Sequence, residues 1–216
     1  MFTNIASALI ANTGLHVFTY TFALSNKQIG LIVGVQLLVS ILSQPLWSFA
    51  SRKLDKKPSM ILGIILCFIS SLFFLVLVLM KNHVMGNALY FMPFSILVGF
   101  GTGGLFTLPF SMIADVIDLD ELNTGKRAEG SYYGCLTLFY KLSQSVTLLL
   151  IGVVLDLVRF DAGLPRQAES TVIILGLMLS IGSALSFIAA LLSLSRYNLN
   201  RASVEEIQKK IAEKFN

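Results

Sequence analysis

Residues 134–148 read GCLTLFYKLSQSVTL, and Lys141 stands in the middle with apolar sequence on both sides. Gly134, Thr137, Lys141, Gln144 and Ser145 fall along one stripe of a helical wheel, with Leu136, Phe139 and Leu150 on the opposite side. A cation inside a membrane span costs at least ~2.5–3.5 kcal/mol on insertion scales, so it needs a partner or a task. Two are open to Lys141: a functional role on a shared interior face, or a structural salt bridge within a helix bundle. Counted from the inner start of its span near residue 131, at 1.5 Å per residue, it sits roughly 15 Å deep, too far for easy snorkelling. No acidic residue lies at matching depth in the other apolar runs, which puts its partner outside this chain.

A second group able to do chemistry is ADVIDLDELNTGKRAEG at 114–130. Asp115 and Asp118 are three apart on one helical face, and Arg127 and Glu129 stand just before the next apolar run. Opposite charges at the mouths of two adjacent helices can close one side of a pathway; a solvated loop is the alternative. The first apolar run is unusually polar, with Asn4, Ser7, Asn12, Thr13, His16, Thr19 and Thr21, of which Asn12, His16 and Thr19 share a face. Such side chains line a wet cavity or hydrogen-bond between helices. The second run adds Gln36, Gln44 and Pro45, and ends at Trp47, read as an interfacial anchor. Thr137, Gln144, His16 and Gln36 are thus the candidate pocket lining around Lys141.

Other patterns are excluded by context. VGFGTGGLFTLPFSM (98–112) is glycine-rich, but no strand precedes it and no GK[ST] follows, so it is no phosphate loop. Gly99 and Gly103 instead form a small-xxx-small pair for close helix approach, and Pro109 removes a backbone donor and can kink the helix. There is no HExxH and no nucleophile with a plausible base, which argues against an enzyme. His83 is isolated in a polar break, and Cys67 and Cys135 have no ligand spacing and read as buried free thiols. No metal site and no resident cofactor are expected.

The elements that must position these groups are membrane helices. The 216 residues are 55% hydrophobic and only 13% charged, with mean hydropathy +0.78; a soluble domain carries roughly a quarter charged residues. Apolar runs of span length lie near 4–24, 29–50, 59–80, 87–113, 131–156 and 171–194. The expectation is an all-α membrane protein: a six-helix transmembrane bundle over 1–194 and a polar tail over 195–216. Eleven of the sixteen Lys and Arg gather on one side, in the break after span two, in the 114–130 cluster and in the tail. Four fall on the other: Lys27, Lys81, Arg159 and Arg166. By the positive-inside rule both termini are cytoplasmic, and the net charge of +4 is membrane-flanking rather than a nucleic-acid footprint. No cleavable signal peptide is visible. In the tail, Ser203 and Glu206 make a capping box, with Val204, Ile207 and Ile211 on one face of a short amphipathic helix that could contact membrane lipid or pack under the bundle.

The run LPFSMIADVIDLDELNTGKRAEGSYYG (108–134), then a helix with Lys141, then GVVLDLVRFDAG, resembles the carboxy-terminal half of a major facilitator superfamily transporter. Within that superfamily it is similar to the glycoside–pentoside–hexuronide:cation symporters, the melibiose permease type. The SFASRKLDKKP turn (48–58) resembles the superfamily's GxxxDRxGRR loop only loosely, because Ser48, Arg52 and Asp55 replace its Gly, Asp and Gly. The resemblance implies helices seven to twelve of a twelve-helix fold in the plasma membrane, and cation-coupled transport of a small organic solute, a sugar or glycoside, by alternating access. It implies that the equivalent of Lys141 lies beside the cation and substrate pocket, and that Asp115, Asp118, Arg127 and Glu129 are inner-gate and loop residues. The coupling cation, Na+ or H+, would bind mainly on an amino-terminal six-helix half, so this chain is expected to be a fragment, a split product or a half that assembles with that partner. A lysophospholipid substrate, as in a related branch, and a non-transporting six-helix accessory protein are the alternatives.

Overall fold

Short polar breaks and residues that cannot continue a helix cut the apolar sequence into segments, and the computed structural model describes residues 1–164 and 167–215 as helices joined by short turns and loops, with no strand among them. Arg166, counted above on the outer side, lies outside the described residues. In chain order the α-helices are α1 (Phe2–His16), α2 (Asn26–Leu54), α3 (Lys56–Leu79), a single turn α4 (Lys81–Val84), α5 (Met92–Thr124), α6 (Glu129–Leu157), α7 (Glu169–Leu194) and α8 (Arg201–Phe215).

Boundary chemistry is local. Ser25 and Gln28 form a reciprocal capping box at the start of α2. Gly125, left-handed at φ 72°, ends α5 with its N–H on the carbonyl of Glu121. The tail helix begins earlier than the expected Ser203 cap: Asn200 Oδ1 accepts from the backbone N–H of Ser203 at 2.9 Å, and Glu206 pairs instead with Lys210 at 2.6 Å. Asn is as good an N-cap as Ser and stands three residues upstream, so it takes the position.

Five helices, 26–54, 56–79, 88–124, 129–157 and 169–194, are long and apolar enough to cross a membrane among the described residues. The first expected span, 4–24, is not one of them. Its α-helix is only 15 residues, and it widens into a π-helical turn over Val17–Thr21. Its polar side chains and broken ladder explain the difference.

The bundle is organised around α5. Gly99 and Gly103 lie against α2, where a Cβ on Gly103 would stand 2.6 Å from the carbonyl of Ser40; Gly101 lies against α3, 2.8 Å from the carbonyl of Gly63 on the same construction. The glycine row therefore serves two neighbours at once. Trp47 corrects an expectation. It is 4% exposed, flat against Gly104, and its indole N–H donates to the carbonyl of Phe100 at 2.7 Å. The missing Cβ makes a slot for the ring, and a buried indole with a satisfied N–H outcompetes the interface. Of the two thiols, Cys67 is buried and Cys135 is exposed.

At the end of the bundle far from the lysine-rich turns, Phe18, Phe22, Phe74, Phe91 and Phe94 pack edge-on or tilted, with the closest ring pairs at 4.6 Å and 4.7 Å. Lys81 pairs with Glu169 at 2.9 Å there, fastening the start of α4 to the start of α7. At the opposite, charged end, α5 runs on to Thr124 and carries α8 against its flank, with Ile207 of α8 buried. The tail packs under the bundle.

Candidate functional site

Helix α6 packs on α1 with one face only. Ser143, Thr147 and Ile151 are its buried residues, and Ser143 donates to the carbonyls of Phe139 and Met1. Two residues from Ser143 is roughly the opposite side of a helix, so Gly134, Thr137, Lys141 and Ser145 are exposed and Gln144 is half-buried. The stripe exists, and it faces away from the chain's own core. Lys141 Nζ lies 5.8 Å from the ring centroid of Tyr140, and no carboxylate pairs with it among the described residues.

Contacts between α5 and α6 set the height of Lys141 in the bundle. Phe110 of α5 stacks on Tyr133 of α6, and Phe106 and Pro109 share a cleft with Thr137 and Tyr140. On this antiparallel pairing Lys141 stands ten to thirteen residues from Asp115, roughly 15–20 Å along the bundle axis.

The cleft itself, about 420 Å³, opens between the start of α1, α5 and α6. Thr3, Asn4, Thr137 and Tyr140 give it polar points, and Met60, Leu105, Phe106, Phe110 and Leu136 its apolar wall. Thr137 spends its hydroxyl on the carbonyl of Tyr133 at 2.9 Å, and Gln144 donates to the Tyr140 hydroxyl at 3.1 Å. Tyr140 lines this largely apolar hollow, and Lys141, next to it in sequence, stands outside the lining with its ammonium 5.8 Å from the Tyr140 ring centroid.

The other two candidate lining residues are elsewhere. His16 stacks with Tyr20 and stands edge-on to Phe160 at 5.4 Å, in an aromatic clasp between the π-turn of α1 and the segment after α6. Gln36 lines a separate cleft between α1, α2 and α5, with its backbone against Gly99. Within this chain neither shares a cleft with Lys141. Asn12, expected on the His16 face, turns back to the carbonyl of Ala8 at 2.8 Å.

The 114–130 cluster divides in two. Asp115 is 4% exposed and is clamped by Lys56 Nζ, at 2.6 Å and 2.7 Å to its two oxygens, with the Tyr197 hydroxyl donating at 3.3 Å. Burial first, then the neighbouring carboxylate, pushes the Tyr197 hydroxyl up from its ordinary value and keeps it a donor. Asp118, Glu121 and Glu129 instead surround Arg127, at 3.2, 2.5 and 2.6 Å. Hydrogen bonds to Glu129 and Glu121 hold that guanidinium firmly charged. The first pair links α3 to α5; the second staples the α5–α6 hairpin to itself. Lys56, Tyr197 and Glu121 were not singled out by sequence. Only the gathering of lysines at the same end as Asp115 hinted at Lys56.

Beside the Asp115 pair a polar cleft of about 460 Å³ lies between the ends of α2, α3 and α5 and helix α8, with Ser48, Ser51, Arg52, Ser111 and Arg201 in its wall. No group of three or more His, Cys, Asp and Glu side chains could hold a metal ion among the described residues.

A family model described as MFS/sugar transport protein matches residues 2–201. An uncharacterized symporter of Synechocystis sp. is 42% identical over 73 residues, 34% of this chain and 13% of that protein. A putative sulfoquinovose importer of Escherichia coli is 34% identical over 131 residues, 57% of this chain and 27% of that protein. The sodium-dependent lysophosphatidylcholine symporter 1 of Homo sapiens is 23% identical over 202 residues, 93% of this chain and 36% of that protein. The chain spans about a third or less of the length of these relatives.

Proposed function

The chain belongs to the MFS/sugar transport family, and on that premise we propose that it forms one wall of a cation-coupled secondary transporter for a small organic solute. A sugar or glycoside is the first choice, in keeping with the family and with the sulfoquinovose importer it resembles. The observation that carries the reading is the α6 stripe: Lys141 is exposed, turned away from its own bundle, and without a carboxylate partner among the described residues. A cation so placed, exposed in the middle of an apolar helix, calls for a partner that arrives from outside the chain.

In this reading an amino-terminal six-helix half faces α6 and supplies carboxylates for Na+ or H+, while Lys141 interacts with those carboxylates or with the solute. Thr137 and Gln144 line the same face. With α1 as a sixth, shorter span, the chain equals helices seven to twelve, and the two halves rock about the site by alternating access. The lysine-rich end is cytoplasmic by the positive-inside rule, with both termini there and the bundle in the plasma membrane. The Asp115–Lys56 pair and the Arg127 cluster close that side. His16 and Gln36 serve the pathway only through surfaces the second half completes. The role is transport, with no chemical step for an enzyme to catalyse.

A second reading, a lysophospholipid substrate, is favoured by the largely apolar 420 Å³ cleft beneath Tyr140 and by the human lysophosphatidylcholine symporter among the relatives. The test is sodium- or proton-driven uptake by the chain co-expressed with a six-helix partner half, with sugar and lysolipid arms. Lys141→Ala is expected to lose coupling in the arm that is the true substrate. Unchanged coupling removes the proposed role of Lys141, and no uptake in either arm with a folded complex favours a non-transporting accessory protein.

A further inference from the structure

The turn between α2 and α3 is one residue long, and that residue is Asp55, at φ 81° and ψ 160°. Glycine occupies this backbone region freely and other residues scarcely at all. The Asp55 side chain shows what holds the strain in place. Oδ1 accepts from the backbone N–H of Lys56 at 2.7 Å, and Oδ2 accepts from the backbone N–H of Arg201 at 3.0 Å. One carboxylate therefore caps the first donor of α3 and the first donor of α8, two groups that helix geometry leaves without intrahelical partners.

Every neighbouring contact pulls the same way. The Arg201 guanidinium donates to the carbonyl of Arg52 at 2.9 Å, at the end of α2. Lys57 Nζ donates to the carbonyls of Ser195 and Tyr197 at 3.0 Å and 2.6 Å, in the link between α7 and α8. Farther along α8, Gln208 reaches Asp118 at 3.0 Å and Ile207 is buried. Helix α8 thus bridges the α2–α3 turn and the projecting end of α5, over the polar cleft that contains Lys56 and Asp115.

We propose that α8 is a latch across the charged end of the bundle, and that Asp55 is its catch: a residue kept in a strained conformation because only its carboxylate can cap α3 and α8 together. Latched, α2, α3 and α5 move as one block at this end. Released, α8 swings out, the cleft opens, and the Asp115–Lys56 pair meets water. The inference concerns the tail alone and does not depend on which solute is carried.

The two consequences of Asp55→Gly run in opposite directions, which makes the device testable. Glycine relaxes the turn but leaves the Lys56 and Arg201 N–H groups uncapped, of which only the second belongs to α8. In the full chain, purified in detergent or nanodiscs, Asp55→Gly is expected to speed tryptic cleavage after Lys209 and Lys210 at least fivefold. The thermal midpoint of the bundle is expected to stay equal or rise. Arg201→Pro removes the same N–H from the other side; proline is well tolerated in the first turn of a helix, so α8 still forms. It should reproduce the acceleration with the α2–α3 turn untouched, while Arg201→Ala, which keeps the N–H, accelerates cleavage less. Cleavage of α8 within twofold of the unmodified chain in both Asp55→Gly and Arg201→Pro overturns the latch. Should Asp55→Gly not fold, Arg201→Pro decides alone.

Discussion

Helices α5 and α6 are joined by a short hairpin, yet they do opposite things with their small and polar residues. Half of the apolar window of α5 is buried within the chain, against 17% of that of α6. On α5, the missing side chains of Gly99, Gly101, Gly103 and Gly104 are filled by α2, α3 and Trp47. On α6, nothing lies within 4 Å of where a Cβ on Gly134 would stand, and the polar row beside it stays open. One helix has spent its irregularity on this fold. The other leaves its polar row uncovered by this chain, which is why α6 is the functional candidate and α5 the scaffold.

The contrast can be broken first on α5. Gly103→Val places new carbon against Ser43 and the backbone of Ser40, and overpacking of this kind costs on the order of 3 kcal/mol; thermal unfolding in detergent should show a large drop or no folded chain. The same substitution at Gly134, which has open space around it, should leave the unfolding midpoint unchanged. Equal losses at both sites would erase the distinction between the helices.

Asp115→Asn is intermediate. Its pair is mostly buried at the carboxylate and a quarter exposed at the lysine, so removing the charge should destabilise by about 2 kcal/mol, read as a lower midpoint and faster proteolysis at the charged end. Lys141→Ala should sharpen the contrast from the other side. It leaves the isolated chain's midpoint in place and shows its effect, a tenfold or greater fall in coupled uptake, only with a partner half present. A lower midpoint of the isolated chain would mean that Lys141 is a structural residue after all. The smallest effect is expected from Arg127→Ala, whose guanidinium is solvated even with three carboxylates around it: the midpoint holds, and only the mobility of the 125–128 hairpin rises, read by hydrogen exchange.

Much of this was legible before any coordinates. The α6 stripe follows from helical periodicity, because a side chain's direction on a helix depends on its number alone. Gly99 and Gly103 as contact residues follow from the same rule. Trp47 was misjudged because its slot is made by Gly104, a residue 57 positions away, and local sequence near 47 ends like an interface. The first span is the one of the six that is not matched by a long helix among the described residues, because hydropathy cannot see a ladder that widens into π geometry at Val17. The charged cluster read as one gate, although Asp115 and Asp118, three apart, point toward different neighbours.

By itself the sequence determined that the chain is built of membrane-crossing helices, which residues share each helical face, and that Lys141 stands in a polar row inside an apolar segment. These follow from chain chemistry and a fixed pitch. Tertiary structure alone decided which face of each helix is covered: that Trp47 goes inward, that Asp115 belongs to Lys56 and Arg127 to the hairpin, that His16 and Gln36 stand apart from Lys141, and that Asp55 reaches Arg201. Those outcomes depend on which helices become neighbours and at what height, and neither is written in the periodicity of any one segment.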